Sequence, residues 1–438
     1  MALVGAGPQF TYGHNHWSAL FATAPATLST AGVPLPDGNR LVVEFAKITP
    51  ANIDNSPAVT WTDITARVTN LSFLAGDPNG SVSRPPVESI VVTTADLTDL
   101  LGDFVELGAP STGIGPCPGS FLRWGIVNMA GPTWQPRQSC IVETITDLVA
   151  GRVRGWQIQA FGTLSYFARF NFAVDNSFGV GTNLNTCMAT VCSLFGDGVN
   201  APWPWAETFA AQDGTMPTLL NPTIAANTFI PKLQFLNQLA DSQGMRVVND
   251  RTGGLKTEAW TTTVASTVRV SDEPASTVAG HAPIAGTIAA TLQWVRSEDR
   301  TAGSMDLPVF GASQNDLMYT KWFRRSDVRS NPWIDTRSVM TVLDAAKAAA
   351  LITAFVSQIA YETRLDHITV DTAADRQVWA MLTATTPVWV RSKFTAERRR
   401  PGTTWLETPV VALGVSGVIE FSTGIGRATI DYITRLST

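Results

Sequence analysis

The chain has few of the residues from which catalytic and metal sites are usually built. Its 438 residues include only four histidines and four cysteines. The cysteines (Cys117, Cys140, Cys187 and Cys192) form no C-x-x-C pair, whereas structural zinc sites need closely spaced Cys pairs with further Cys or His partners. We therefore expect free buried thiols, and neither a metal nor a cofactor.

Charge is also scarce. Charged residues make up 15% of the chain and hydrophobic residues 45%, which is typical of a folded protein. So low a charge fits either a subunit whose faces are covered by neighbours or an ordinary domain rich in Ala, Thr and Gly. The net charge is −5 and the basic residues are dispersed, so we expect no sequence-specific nucleic-acid binding. The one basic cluster, Arg398 to Arg400, predicts a solvated loop, with a subunit contact as the alternative.

Long apolar runs are missing as well. The chain has no stretch of about 18 apolar residues, so we expect no membrane span. Its first residues, MALVGAGPQFTYGHNHW, lack the basic start and the long apolar core of a secretory leader. The protein is therefore expected to be made in a cytoplasm and kept there until it is assembled.

The short motifs that could carry chemistry are incomplete. Gly414-Val415-Ser416-Gly417 lacks the full G-x-S-x-G spacing of a serine nucleophile, and a strand follows it rather than a helix. Glu298 and Asp299 are adjacent, so on a strand they would face opposite sides and could not act as an acid/base pair. The glycine-rich segment 108–119 lacks the Gly-Lys-Ser/Thr of a phosphate loop. The sequence therefore predicts no catalytic residue and no enzyme.

His14 and His16 form the only histidine pair. Two histidines can share a metal, but they need a third ligand and a rigid frame, and this pair lies in a Gly-rich segment. We predict that replacing both histidines leaves folding and assembly intact, because no metal is held there. Elemental analysis of the purified protein and of the double variant tests this, and a stoichiometric metal that is lost in the variant would contradict it.

The N-terminal third predicts a β domain. Residues 1–38, rich in Gly, Pro, Ala and Thr, are expected to be an N-terminal arm. Residues 39–163 contain about seven short strands separated by Gly and Pro turns, which is typical of a barrel or sandwich. Two alternating sets are predicted to form apolar strand faces: Ile64, Ala66 and Val68 in one strand, and Trp156, Ile158 and Ala160 in another.

The middle of the chain, residues 164–284, predicts a small α+β insertion domain. One helix is expected to begin near Pro231 and to end at Gly244, with Leu233, Leu236 and Ala240 on one face. The segments MRVVND and GLKTEAW then predict a hairpin around residues 251–254.

Residues 285–438 predict a second β-barrel-like domain that carries one alanine-rich helix, 344–361. Asp344 is a plausible N-cap. The apolar stripe of this helix is expected to pack on the core and consists of Ala348, Leu351, Ile352, Phe355 and Ile359. A strand is predicted after it, with Val388, Val390 and Phe394 on one face and Trp389, Arg391 and Lys393 on the other.

The order of segments towards the C-terminus resembles that of a known family. RSNPWIDTRSV is followed by DAAKAAALITAFVSQIAYETRLDHITVDT, then VWAMLTATTPVWVRSKF, then PVVALGVSGVIEFSTGIGRATIDYITRL. This order, together with Trp61-Thr62-Asp63-Ile64-Thr65 and the helix and hairpin of the middle block, resembles the minor tail proteins of long-tailed actinobacterial phages. Those proteins form the tail hub or tail tip and are similar to the baseplate hubs of contractile phages.

The resemblance implies a fold that is mainly β, with two related β-barrel-like domains and an α/β insertion. It implies a structural virion protein at the tail tip, forming a trimer whose two barrels per subunit make a pseudo-sixfold hub ring through which genome DNA passes. The implied partners are the distal tail protein, the tape measure and tip or fibre proteins. The alternatives are a distal tail protein, which forms a hexameric ring, and a tail-associated hydrolase that digests the cell wall.

Overall fold

The computed structural model of the chain describes residues 30–47, 60–76, 88–103, 116–151 and 153–168, isolated positions before residue 30, and beyond residue 168 mainly the elements named below. The N-terminal strands are β1 (Val33–Pro34), β2 (Arg40–Ala46), β3 (Trp61–Asp63), β4 (Val68–Gly76), β5 (Glu88–Ala95), β6 (Phe121–Asn128), β7 (Thr133–Ala150) and β8 (Val153–Phe161). Short helices span Thr98–Leu101 and Thr163–Phe167.

The middle of the chain contributes two small antiparallel strand pairs, the second of which is a hairpin. Their strands are β9 (Asn176–Ser177) with β10 (Thr223–Ile224), and β11 (Met245–Asn249) with β12 (Leu255–Ala259). The β11–β12 hairpin confirms the one predicted around residues 251–254. In the predicted helix before it, the described positions Leu233, Leu236 and Ala240 are helical, and the last two are buried.

The C-terminal part adds nine further strands. They are β13 (Val264–Ser271), β14 (Thr277–Ala279), β15 (Thr287–Val295), β16 (Asp316–Arg324), β17 (Ile334–Thr341), β18 (Glu362–Asp371), β19 (Ser392–Arg399), β20 (Trp405–Glu420) and β21 (Ile425–Arg435). Strands β16, β15 and β17 form a separate sheet in that order. A helix, Gln377–Thr383, lies between β18 and β19.

One 14-stranded sheet, curled like half a barrel, holds most of these strands. Its main path runs β1-β2-β6-β7-β8-β5-β4-β20-β21-β18-β14, with β3 beside β2, β19 beside β20 and β13 beside β19. The N-terminal and C-terminal strands meet where β4 pairs with β20. The predicted mainly β fold is confirmed, whereas the boundaries of the predicted domains stay predictions.

The sheet contains the same arrangement twice. We call β4–β8 the first repeat, with the spatial order β6-β7-β8-β5-β4, and we call β14 and β18–β21 the second repeat, with the order β19-β20-β21-β18-β14. In each repeat a short helix lies between corresponding strands, β5 and β6 or β18 and β19. Each long strand, β7 or β20, carries a bulge at the corresponding place. The chain therefore has two β units of related fold.

The core lies on the inner side of the curled sheet. Trp124 of β6 is fully buried there, with its ring centroid 4.9 Å from Phe73 of β4 and 6.1 Å from Trp389. Its indole Nε1 donates a hydrogen bond of 2.9 Å to Gln138 Oε1. The alternation predicted for β8 is confirmed, since Trp156, Ile158 and Ala160 are all buried.

The predicted strand through Ile64, Ala66 and Val68 is wrong, because a 3-10 turn at Thr65–Arg67 separates β3 from β4. Asp63 Oδ1 accepts hydrogen bonds from the Thr65 backbone N–H at 2.9 Å and from its hydroxyl at 2.5 Å. Such local side-chain bonds compete with strand pairing and favour a turn. Ala66 is consequently exposed, while Ile64 and Val68 are buried.

The prediction that Trp389 and Phe394 lie on the same strand with their side chains on opposite faces is also wrong. The strand begins at Ser392, and Trp389 lies in a turn before it. The Trp389 N–H donates to Ser392 Oγ at 2.8 Å, and the Ser392 N–H donates to the Trp389 carbonyl at 2.9 Å. This turn brings Trp389 into the same core as Phe394.

The predicted loop at Arg398–Arg400 is a strand at Arg398 and Arg399, because both residues lie in β19 and pair with β20. Arg400 lies outside the described residues. So do the predicted helix 344–361 with its stripe, the pair His14 and His16, and residues 298–299.

Candidate assembly surface

Within the described residues, no group of three or more His, Cys, Asp or Glu side chains could hold a metal ion. Cys140 is buried, and burial raises the pKa of its thiol; Cys117 is half-buried. Among these residues, no helix is long and apolar enough to cross a membrane. Ser416, from the rejected nucleophile motif, lies within β20, between β4 and β21.

The two repeats are joined at a surface that we call the inter-repeat junction. There Asn70–Gly76 of β4 pairs antiparallel with Gly414–Glu420 of β20. Leu71 and Ile419 face each other across it, and both are buried. The two strands approach closely at Gly417, where a Cβ atom would lie 2.6 Å from the Phe73 ring. The junction is thus part of the buried core, to which Leu71, Phe73 and Ile419 all belong.

The matching edge of the first repeat has no such partner among the described strands. β7 is 18 residues long. Its first half pairs with β6 as far as Ile141, and its second half pairs with β8. On the β6 side, none of the described strands pairs with Thr144–Ala150, which we call the open edge.

The open edge is apolar at its end. Val149 is 71% exposed and Leu148 is 37% exposed. Ile419, which occupies the position of Val149 in β20, is only 2% exposed because β4 packs beside it. The difference in exposure at these two equivalent positions reflects the presence of a neighbouring strand in one repeat and its absence in the other.

The hairpin that carries the open edge is held in place by ion pairs. Gly151, with a φ of 63°, lies at the turn that joins β7 to β8. Arg154 binds Asp147 across the hairpin at 3.0 Å and Asp103 beyond the Thr98–Leu101 helix at 2.7 Å. Its hydrogen bonds, first to Asp147 and then to Asp103, raise the pKa of the guanidinium. The edge is therefore anchored on the body of the first repeat.

Next to the open edge, the outer side of the sheet is almost free of charge. We call this the uncharged face; its side chains are half-buried or exposed and come from β8, β5, β4 and β20. They are Gln157, Gln159, Ser89, Val91, Thr93, Ala95, Asn70, Ser72, Leu74, Ser416 and Val418. Only Glu420, at the end of β20, adds a charge to this set. The solvated face of an antiparallel sheet normally carries polar and charged residues, so such a face is typical of a surface that a partner covers.

The outer side of β2 and β6 is built differently, because the chain covers it. Arg123 of β6 and Glu44 of β2 form an ion pair there, with the guanidinium Nε donating to Glu44 Oε2 at 2.7 Å, and both side chains are buried. The Arg123 guanidinium lies 4.0 Å from the ring centroid of Trp61 and 5.2 Å from that of Trp134. Desolvation raises the pKa of Glu44, with Arg123 acting in the opposite direction.

The β11–β12 hairpin contacts one end of the first repeat. Asn249 of β11 donates from its amide to Glu88 at 3.2 Å and accepts from the Leu164 backbone N–H at 3.1 Å. Ser139 of β7 donates to the Arg251 carbonyl at 3.2 Å. These bonds hold the β11–β12 hairpin against the first repeat, and none of them involves a residue of the uncharged face.

A further contact ties the two repeats together. A bulge in β7 lies beside Gly125 of β6, and Arg137 is the residue that it leaves without a partner in the strand register. The Arg137 side chain donates to the carbonyls of Leu382 at 2.7 Å and Ala384 at 3.1 Å, at the end of the Gln377–Thr383 helix. Burial, and then the nearby Arg251, lower the pKa of Arg137 to about 9.

No protein-family model and no curated protein sequence matches this chain. Solved structures do. The 43 kDa tail protein of prophage MuSo2 from Shewanella oneidensis matches with a TM-score of 0.51 and 11% identity, over 90% of this chain and 98% of that one. The tail protein from Neisseria meningitidis MC58 matches with a TM-score of 0.51 and 10% identity, over 90% of this chain and 96% of that one.

At this level of identity the likeness shows the fold alone. The fold is one that these phage tail proteins also have, and it extends over most of both chains. The order of the C-terminal segments had pointed to a resemblance to phage tail proteins. The sequence had not indicated the inter-repeat junction, the open edge or the uncharged face.

Proposed function

We propose that the chain is a structural subunit of a phage tail, and that it forms the hub ring at the tail tip. The observation that carries this proposal is the pair of β units joined edge to edge in one sheet, in a chain whose fold resembles tail proteins along most of its length. A ring needs a repeated unit and an edge through which it continues, and this chain supplies both.

In this role the ring closes the tail tube and connects it to receptor-binding or cell-penetrating parts. Its neighbours would be the distal tail protein above and the tape measure and tip or fibre proteins. The uncharged face suits such contacts, because interface cores are depleted of charged residues. The protein would be assembled in the host cytoplasm and carried in the virion.

We predict three copies per ring, because two β units in each chain supply six positions to the sixfold tail tube. Native mass spectrometry of the purified protein, or a reconstruction of the assembled tail tip, gives the copy number directly. Six copies would contradict the hub assignment and favour a distal tail protein.

The hydrolase alternative has its own test. Zymography with host peptidoglycan should give no clearing band, because the motifs found in the sequence lack a complete set of catalytic residues. A clearing band at the mass of this chain would contradict a purely structural role.

A further inference from the structure

We propose that the open edge of β7 is completed by β14 of a second copy of this chain, in the register that joins β4 to β20 within one copy. This inference rests on the proposed function and names the contact through which the ring would continue. Each copy would offer β14 at one end and accept a β14 at the other, which is a head-to-tail contact.

The equivalence of the two long strands fixes which residues would pair. In β20 the bulge lies between Ala412 and Gly414, and in β7 it lies between Val142 and Thr144. Counting from these bulges, Thr144–Ala150 corresponds to Gly414–Glu420, the seven residues that β4 pairs with. The open edge is thus the counterpart of a site that is already filled in the second repeat.

The equivalence of β14 and β4 follows from their neighbours. Val278 of β14 pairs with Ile368 of β18, as Leu71 of β4 pairs with Val92 of β5. Ile368 and Val92 in turn pair with equivalent residues, Ile430 of β21 and Ile158 of β8. Because Leu71 faces Ile419 at the inter-repeat junction, the same register places Val278 opposite Val149.

The edge carries few of the devices that normally protect a free strand. Exposed edges usually carry lysine, proline or inward-pointing charges that prevent further pairing. The open edge, TITDLVA, has neither lysine nor proline. Its one charge, Asp147, lies on the same face as Ile145 and Val149, and Arg154 of the same hairpin neutralises it. Val149 and Leu148 remain exposed at its end. Such an edge is suited to accept another strand.

A second copy is the occupant because one copy does not bring the two edges together. In the sheet path of a single chain, six strands (β8, β5, β4, β20, β21 and β18) separate β7 from β14. Within the described sheet, β14 pairs only with β18, so its other edge has no described partner strand. One chain therefore carries both a donor edge and an acceptor edge, and in the described sheet the two do not pair with each other.

Cysteine crosslinking tests the register. Residues directly opposite each other on antiparallel strands have Cα atoms about 4.5–5.5 Å apart, within the range that a disulfide bridges. We expect that mixing the single variants Val149→Cys and Val278→Cys under an added oxidant gives a covalent dimer as the main product on a non-reducing gel. Each variant alone shows the background from the native cysteines.

The matched control is Thr144→Cys mixed with Val278→Cys. Thr144 is also exposed on the open edge but lies five residues from Val149, or about 17 Å along the strand. It should give no dimer above background. An equal yield from both mixtures, or none from either, overturns the proposed register.

A charge on the edge tests the contact without crosslinking. Val149→Asp should abolish ring assembly while leaving the unfolding midpoint of the chain unchanged, because Val149 is 71% exposed in one copy. Val264→Asp, at an apolar position on β13 that is 48% exposed, should leave assembly intact. Rings that form in spite of Val149→Asp overturn the contact but leave the proposed function standing. A wild-type chain that stays monomeric overturns both.

Discussion

Replacing Trp124 with alanine is expected to lower the free energy of unfolding by about 3–5 kcal/mol, the usual cost of truncating a buried Trp or Phe. The ring is fully buried and packs against Phe73 and Trp389, so the cavity would open where elements of both repeats meet. Gln138 would also lose the indole as a donor. Because Gln138 donates to the Leu74 carbonyl at 2.6 Å, the loss would extend to β4 at the inter-repeat junction.

Denaturant unfolding followed by circular dichroism measures this effect. Leu100→Ala is the control, because Leu100 is an apolar residue that is 43% exposed and surface substitutions usually stay within about 0.5 kcal/mol. A Trp124→Ala variant as stable as Leu100→Ala would contradict the packing of the core described above.

The second large effect is expected at the buried ion pair. Replacing Arg123 with methionine should cost about 3–5 kcal/mol, because Glu44 would remain buried without its partner. The guanidinium would also leave the ring of Trp61, 4.0 Å away. Replacing both residues, with Arg123→Met and Glu44→Leu together, should recover most of the loss, since desolvation already outweighs the attraction of Arg123 in setting the pKa of Glu44.

The four chains of this double-mutant cycle are compared by unfolding at neutral pH. A double variant as unstable as Arg123→Met alone would show that the pair itself, and not the isolated charge, provides the stability. The dependence on pH gives an independent check. Because the pKa of Glu44 is raised in the folded chain, the native state binds more protons than the unfolded state between the two pKa values. The contribution of Glu44 to stability should therefore fall as the pH rises through that interval.

Local periodicity was sufficient to predict an element correctly where one face of that element is buried. Trp156, Ile158 and Ala160 alternate in the sequence and are buried in β8, and Leu236 and Ala240 lie at helical spacing and are buried in a helix. Prediction from periodicity failed where a side chain forms a hydrogen bond with the backbone of a residue two or three positions away. Asp63 with Thr65, and Ser392 with Trp389, form turns within segments that otherwise read as continuous strands.

The inter-repeat junction could not be predicted from the sequence, for a different reason. The pairing of β4 with β20 joins residues that lie far apart in the chain. The residue pattern of neither strand indicates which other strand it pairs with. The ion pair did leave a signal in the sequence. LVVEFA and FLRWGIV each place one charge, of opposite sign, within an almost wholly apolar run. Two such strands bury their charges most easily by lying side by side.

The inter-repeat junction also sets an order of events during synthesis. β4 leaves the ribosome about 340 residues before its partner segment of β20. At about 5–20 residues per second, this means roughly 17–70 s during which the β4 edge has no strand beside it. The first repeat must therefore wait, partly folded, until residues 414–420 have been synthesised before its sheet is joined to the second repeat. A host chaperone that binds strand edges would therefore have the longest time to bind at the free edge of β4. A truncation that removes β20 would leave this edge of β4 exposed permanently.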